Sequence, residues 1–256
     1  MARTDVDESR KGRSEGGIYE TIKVVVQALL IAFVVQLVLF QPFSIPSGSL
    51  IPTLLIGDYL FVSKYTYGYS RHSIPFFSPP LFSGRIFASQ PKRGDIAVFK
   101  LPRDGTTVFI KRVIGLPGDK IRVVRGILHV NGQPVKRERV EDYRTQDVWR
   151  RQVAVPQYLE TLPNGVSHRI IEINGDAGPL DDTEEYQVPP GFYFMMGDNR
   201  DNSADSRDPT VGLVPFENLV GRAEIIFFSI DEDASTWKIW EWPWTVRWSR
   251  IFSTIK

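Results

Sequence analysis

The chain has 256 residues, 42% of them hydrophobic, enough for a sizeable core, and a formal net charge of +1, so no bulk field favours nucleic acid. It has no cysteine, which excludes thiol catalysis, disulfides and thiolate zinc sites. The three histidines, His72, His129 and His168, lie far apart without metal-ligand spacing and are read as structural or surface residues, with no metal or cofactor expected.

Residues 1–17 are polar, mixed in charge and too poor in apolar side chains to order themselves, which predicts a flexible tail. From Ile18 the composition becomes apolar, interrupted mainly by Gln27 and Gln36, and residues 18–41 are assigned as one membrane-spanning helix, since a bilayer core needs roughly 20 such residues. Arg10, Lys11, Arg13 and Lys23 precede or open the span, so the positive-inside tendency leaves the tail in the cytoplasm and everything after Gln41 outside. A buried globular helix is one competing reading, although a run with no polar face would need protein on every side; a cleavable signal peptide is the other, with Ser47-Gly48-Ser49 as a small-residue site. Its apolar region would run for only about 7 to 15 residues, so the length argues against it.

Next comes Pro46-Ser47-Gly48-Ser49-Leu50-Ile51-Pro52-Thr53-Leu54. Glycine permits close approach of a substrate and the two prolines restrict the flanking dihedrals, so a serine here can be held in one pose. The same composition also suits an ordinary turn. Strands are predicted at Asp58 to Ser63 and Asp95 to Phe99, separated by an aromatic, proline-rich stretch from Tyr65 to Gln90 that either dips into a membrane interface or covers a core. Thr106 to Ile114 reads as a β-branched strand closed by Gly115-Leu116-Pro117-Gly118-Asp119. Lys111 in that strand is a candidate base: pointing inward, it would lose hydration and its pKa would fall. The opposite orientation, with Arg112 inward and Lys111 in solvent, fits the sequence as well.

A hairpin is predicted at Lys120 to Val130, with Asn131-Gly132 as the following turn. Residues 135–189 read as a polar β-rich insertion, and the acidic run Asp181-Asp182-Thr183-Glu184-Glu185 as a solvated face. Phe192 to Met196 is a buried-strand pattern that delivers Gly197-Asp198-Asn199-Arg200-Asp201-Asn202-Ser203-Ala204-Asp205-Ser206-Arg207. A calcium loop of the EF type is disfavoured there, because Arg200 and Pro209 occupy poor positions for alternating oxygen ligands. Leu219 to Ser229 supplies a closing strand. In the tail, 232–256, Pro243 suits the first turn of a helix that would put Trp244, Trp248 and Ile251 on one face, and tryptophan beside arginine fits either a membrane interface or, equally, packing into a core.

The serine stretch, the stretch from Lys111 to Asp119, and Gly197 to Arg207 resemble, in order and form, the bacterial type I signal peptidases, membrane-anchored serine-lysine endopeptidases. Arg93-Gly94-Asp95-Ile96 and Gly57-Asp58-Tyr59 fit the same pattern, and the likeness runs from Pro42 to about Ala223. It implies Ser49 as nucleophile, Lys111 as general base, and Ser47 with the Ser49 backbone N–H as oxyanion hole. Ser203 is implied to orient the lysine, with Asp205, Arg207, Asp198 and Arg200 supporting. Phe43, Ile45, Leu60 and Ile110 are implied to line pockets for small side chains. Leu50 stands where the family usually has methionine, and one spanning helix replaces the two of some relatives.

The implied fold is mainly antiparallel β, with a catalytic core at 42–134 and 190–231. The implied substrates are signal-peptide-bearing preproteins cut after Ala-x-Ala-like sites, with the phospholipid membrane and the secretion translocon as further partners, no nucleic acid, and a place on the outer side of a bacterial cytoplasmic membrane. Two rivals remain: a specialised pilin or conjugation serine-lysine peptidase, which substrate range would separate, and a catalytically silent β-domain that binds exported chains, which forms no covalent serine intermediate.

Overall fold

A computed structural model describes residues 5–73, 84–146, 151–234 and 236–255. Helix α1 runs Asp5–Val38. It therefore begins within the tail expected to be flexible, where Glu, Arg and Lys are good helix formers, and stops before Phe40 and Gln41, which join a strand. Within it, Gly17–Val38 is long and apolar enough to cross a membrane.

The strands follow in chain order: β1 Phe40–Ser44, β2 Asp58–Ser63, β3 Ile96–Lys100, β4 Val108–Gly115, β5 Lys120–Val124, β6 Ile127–Val130, β7 Gln133–Pro134 and β8 Lys136–Arg139. They continue with β9 Tyr143–Gln146, β10 Gln152–Val155, β11 Gln157–Thr161, β12 Ser167–Ile171, β13 Tyr186–Gln187, β14 Phe192–Met196, β15 Val214–Pro215 and β16 Leu219–Ser229. The principal sheet has seven strands in the order β1-β2-β16-β3-β4-β14-β15, and its named pairs are antiparallel.

Both faces of its centre are covered, which the side-chain alternation of β3 shows directly. Ile96 and Val98 pack with Ile45, Leu50, Leu54 and Leu60, while Ala97 and Phe99 pack with Tyr67, Val113, Tyr193 and Met195. At roughly 25 cal/mol per Å² of apolar area, burial of this extent dominates the stability of the fold.

Residues 135–189, read from the sequence as an insertion, contain strands β8 to β13. The β5–β6 hairpin turns through Arg125 and Gly126, both at positive φ, and pairs with β7 and β13 in a separate four-stranded sheet. Ile121, Val123, Leu128 and Val130 share a core with Val135, Leu162 and Val188 and also with Ile114, Phe194 and Met196 of the principal sheet, so the hairpin packs against both. In the aromatic stretch, Tyr67 is buried while Tyr65 and Phe87 are exposed; Phe76, Phe77 and Phe82 lie outside the described residues.

The tail departs most from expectation. Its helix α2 covers only Trp242–Thr245, because Val246 leaves the helix to bridge Ile230, and Trp248–Arg250 form a separate 3-10 turn. The arginines there serve the fold rather than an interface. Arg250 binds Asp58 and the Thr53 carbonyl, and Arg247 donates to the carbonyls of Ile56 and Ile230.

Candidate active site

The serine loop leaves the sheet where β1 ends. Ile45 N–H donates to Asp58 O at 2.8 Å and Gly57 N–H returns to Ile45 O at 3.0 Å, closing the base of the 45–57 loop. Leu50 and Leu54 anchor its underside in the core, and the Ile51–Pro52 bond is cis. Ser49 is consequently fixed at the loop's edge with 7% of its surface exposed.

β4 brings Lys111 to it. Lys111 Nζ donates to Ser49 Oγ at 2.7 Å and to the Ile110 carbonyl at 3.1 Å, and the residue is only 4% exposed. Burial lowers the lysine pKa from 10.5 to about 8, against the opposing pull of the Asp205 and Asp198 carboxylates. Part of the Lys111 population is therefore neutral near physiological pH and able to accept a proton from Ser49.

Arg112, the adjacent strand residue, is also buried, so the two orientations weighed from the sequence are not exclusive. Its Nε and Nη2 clasp Asp198 at 2.8 and 2.7 Å, and Thr53 Oγ1 donates to the same carboxylate at 2.5 Å. Burial alone would raise the Asp198 pKa, but the Arg112 guanidinium outweighs it and holds the carboxyl below its usual range. Asp205 is held down in the same way by Arg207, at 2.9 Å through both oxygens. Arg200 pairs not with Asp198 but with Glu160. His168 sits 3.4 Å from Glu160 and 3.8 Å from Asp198, and burial, aided by Arg112, lowers its pKa to about 4, so this histidine is a neutral part of the interior.

The 197–207 loop closes over the pair. Asn199 N–H donates to Ser49 O and its side-chain amide to Gly48 O, both at 3.1 Å. Gly197 leaves no room for a side chain, since a Cβ would stand 2.2 Å from Ser203 Oγ and 2.5 Å from Ser49 O. Ser203 is buried, but its Oγ does not bond Lys111 Nζ, contrary to the orientation the resemblance implied, and it has no hydrogen-bond partner among the described residues. Asn199, Thr53, Gly197 and Glu160 were not singled out from the sequence. Thr53, Gly197 and Asn199 lay inside motifs read as a whole, whereas Glu160 offered no local signal.

A groove of about 640 Å³ opens beside Ser49 and Lys111. Phe43, Ile45 and Ile110 line it as expected and Ser47 stands exposed on its rim, joined by Phe109, Asn202 and Ala204. Leu60 is not part of the wall; it lies fully buried behind Ile45, because β2 is an interior strand of the sheet.

A profile of the family described as signal peptidase, peptidase S26, matches residues 18–228. The signal peptidase I of Rickettsia typhi (strain ATCC VR-144 / Wilmington) is 41% identical over 89% of this chain and 90% of its own length. That of Rickettsia prowazekii (strain Madrid E) is 37% identical over 100% of this chain and 98% of its own. A crystal structure of a signal peptidase I from Enterococcus faecalis V583 covers 52% of this chain and 97% of its own at 25% identity, with a TM-score of 0.32 that carries no argument about the fold.

Proposed function

The chain belongs to the signal peptidase family, peptidase S26, a family of serine peptidases that cleave signal peptides, and we propose that it works through Ser49 as nucleophile and Lys111 as general base. The observation that carries this assignment is the 2.7 Å contact between a buried serine hydroxyl and a buried amine whose pKa is lowered to about 8.

Neutral Lys111 takes the Ser49 Oγ proton as Oγ adds to the scissile carbonyl carbon. The ammonium then gives that proton to the departing amine, leaving an acyl ester on Ser49. Water hydrolyses the ester with Lys111 again as base, and the proton returns to Ser49. The Ser49 N–H and the Ser47 hydroxyl meet the tetrahedral oxyanion, a contribution of roughly 3 kcal/mol per donor. Asp205 paired with Arg207 supports the loop beside the lysine, while Asp198 through Arg112 and Arg200 through Glu160 hold it from beneath. The groove walled by Phe43, Ile45 and Ile110 admits small side chains and rejects large ones by clash, which accounts for cutting after Ala-x-Ala-like sites.

The anchoring follows from the same architecture. Gly17–Val38 spans the cytoplasmic membrane with the basic tail inside, and preproteins reach the catalytic domain on the outer side as they leave the translocon. The outer end of the span is held to the domain by Lys64 Nζ, which donates to Gln36 O at 2.9 Å and Leu37 O at 3.4 Å, and by Tyr69 OH, which donates to Val38 O at 2.7 Å. Trp237, Trp240, Trp244, Trp248 and Phe252 are all exposed and rest at the lipid surface. The test is cleavage of a purified Ala-x-Ala preprotein by the full chain in detergent, with sequencing of the new N-terminus. A product cut after the small residue by wild type and none by Ser49→Ala is expected; equal cleavage by both overturns the assignment.

A further inference from the structure

Behind the catalytic loop, Glu172, Asp181 and Asp201 each offer a carboxylate oxygen, and all three atoms lie within 4.8 Å of one another. Glu172 follows β12, Asp181 closes the loop after it, and Asp201 lies in the 197–207 loop, so residues distant in sequence converge. The acidic run read as a solvated face therefore begins with a residue that is 1% exposed. Its position is not a consequence of spare surface.

Charge in this cluster is poorly matched. Glu172 is fully buried and neither of its oxygens has a hydrogen-bond partner. Arg137 Nη1 lies 3.8 Å away, but that guanidinium is already clasped by Asp176 at 2.9 and 2.8 Å. Arg200 and Arg207, the other cations that act on the cluster, are bonded to Glu160 and Asp205. Three carboxylates gathered in a low-dielectric interior repel one another unless something positive lies between them.

The surroundings are shaped for such an occupant. One oxygen of each aspartate is tied by a backbone N–H: Gly178 to Asp181 Oδ2 at 2.5 Å and Asn174 to Asp201 Oδ2 at 2.7 Å. Gly178 keeps the spot open, since a Cβ there would stand 2.0 Å from Asp201 Oδ1 and 3.0 Å from Asp181 Oδ2. Oxygen donors held roughly 2.3–2.6 Å from one ion sit up to about 5 Å apart, which this set satisfies. The donors are oxygen alone, the preference of hard cations rather than of metals that seek imidazole or thiolate.

We propose that Glu172, Asp181 and Asp201 bind a hard divalent cation, calcium or magnesium, which ties the loop after β12 to the catalytic loop. The ion plays no part in the chemistry at Ser49. It fixes the far side of the loop whose near side, through Asn199, holds the Ser49 carbonyl.

The test uses the full chain in detergent, stripped with a chelator and dialysed, then titrated separately with calcium and magnesium by calorimetry and followed by thermal melting. Saturable binding of one ion per chain and a higher melting temperature are expected for at least one of the two. Glu172→Gln and, independently, Asp201→Asn should each weaken binding about tenfold or more and remove the melting shift, while Asp182→Asn, at an exposed neighbour outside the cluster, binds as wild type does. Absence of saturable binding of both ions to wild type overturns the proposal, leaving protons and Arg200 to balance the cluster. Undiminished binding by Glu172→Gln and Asp201→Asn overturns it as well.

Discussion

Lys111 and Arg112 are consecutive on β4, point to opposite faces of the sheet, and are both buried, the first 2.7 Å from Ser49 Oγ and the second clasping Asp198 through two bonds. The two cations are handled differently. Arg112 lies against a carboxylate, whereas Lys111 is buried against a hydroxyl and a carbonyl, neither charged, and gives up its proton more readily.

That difference sets a pH dependence. The rate constant kcat/KM should rise with pH as Lys111 loses its proton, reaching half its plateau near pH 8. Stability follows the same group: between the folded pKa of about 8 and the ordinary 10.5 the unfolded chain binds more protons, so stability increases with pH across that window, while below it the full cost of burying the charged amine is present and does not change with pH. Melting curves of wild type and Lys111→Met over pH 7 to roughly 10.5 check this, and an identical pH trend in the two would contradict it.

Asp198→Asn leaves the Arg112 charge buried without its counterion, which costs about 3 kcal/mol or more. The double variant Arg112→Met/Asp198→Asn should recover much of that loss in a thermal melt. Asp198 also holds the Lys111 pKa up, so the single variant moves the limb of the pH–rate curve to lower pH.

At Gly197 the expected effect falls on geometry. A methyl group there must displace Ser203 or the Ser49 carbonyl, so Gly197→Ala should lower kcat by about a hundredfold with a smaller change in KM. Steady-state kinetics separates the two constants; an unchanged kcat would show that the Ser49 loop tolerates the shift.

The C-terminal arginine at 250 braces the serine loop from outside through Asp58 and Thr53 O. Arg250→Ala should destabilise by about 1–3 kcal/mol, measured by melting, and reduce kcat/KM although the residue is not in the groove.

Much of this was legible in the sequence where the cause is local. Asp58 to Ser63, Phe192 to Met196 and Leu219 to Ser229 were predicted with the limits they have, since β-branched and aromatic runs between glycines and prolines specify a strand on their own. Ser49 and Lys111 were found through motif order. Side-chain alternation could not reveal that Lys111 and Arg112 are both interior, because a sheet covered on two faces has no outward side for either to take. Leu60 was misplaced for a related reason: pocket walls and the layer behind them read alike in apolar sequence. Asp181, Glu160 and His168 depend on contacts across distant segments, for which spacing along the chain carries no signal. The tail helix was overextended because the bridge between Val246 and Ile230 is likewise nonlocal.

The most direct measurement is cleavage of a purified Ala-x-Ala preprotein in detergent by wild type and by Lys111→Met, both first shown to be folded. Methionine keeps most of the side-chain volume and removes the base, so chemistry is separated from packing. The serine–lysine account predicts a loss of about a thousandfold or more in the variant. Equal rates would show that Lys111 is not the base and would contradict the account at its centre.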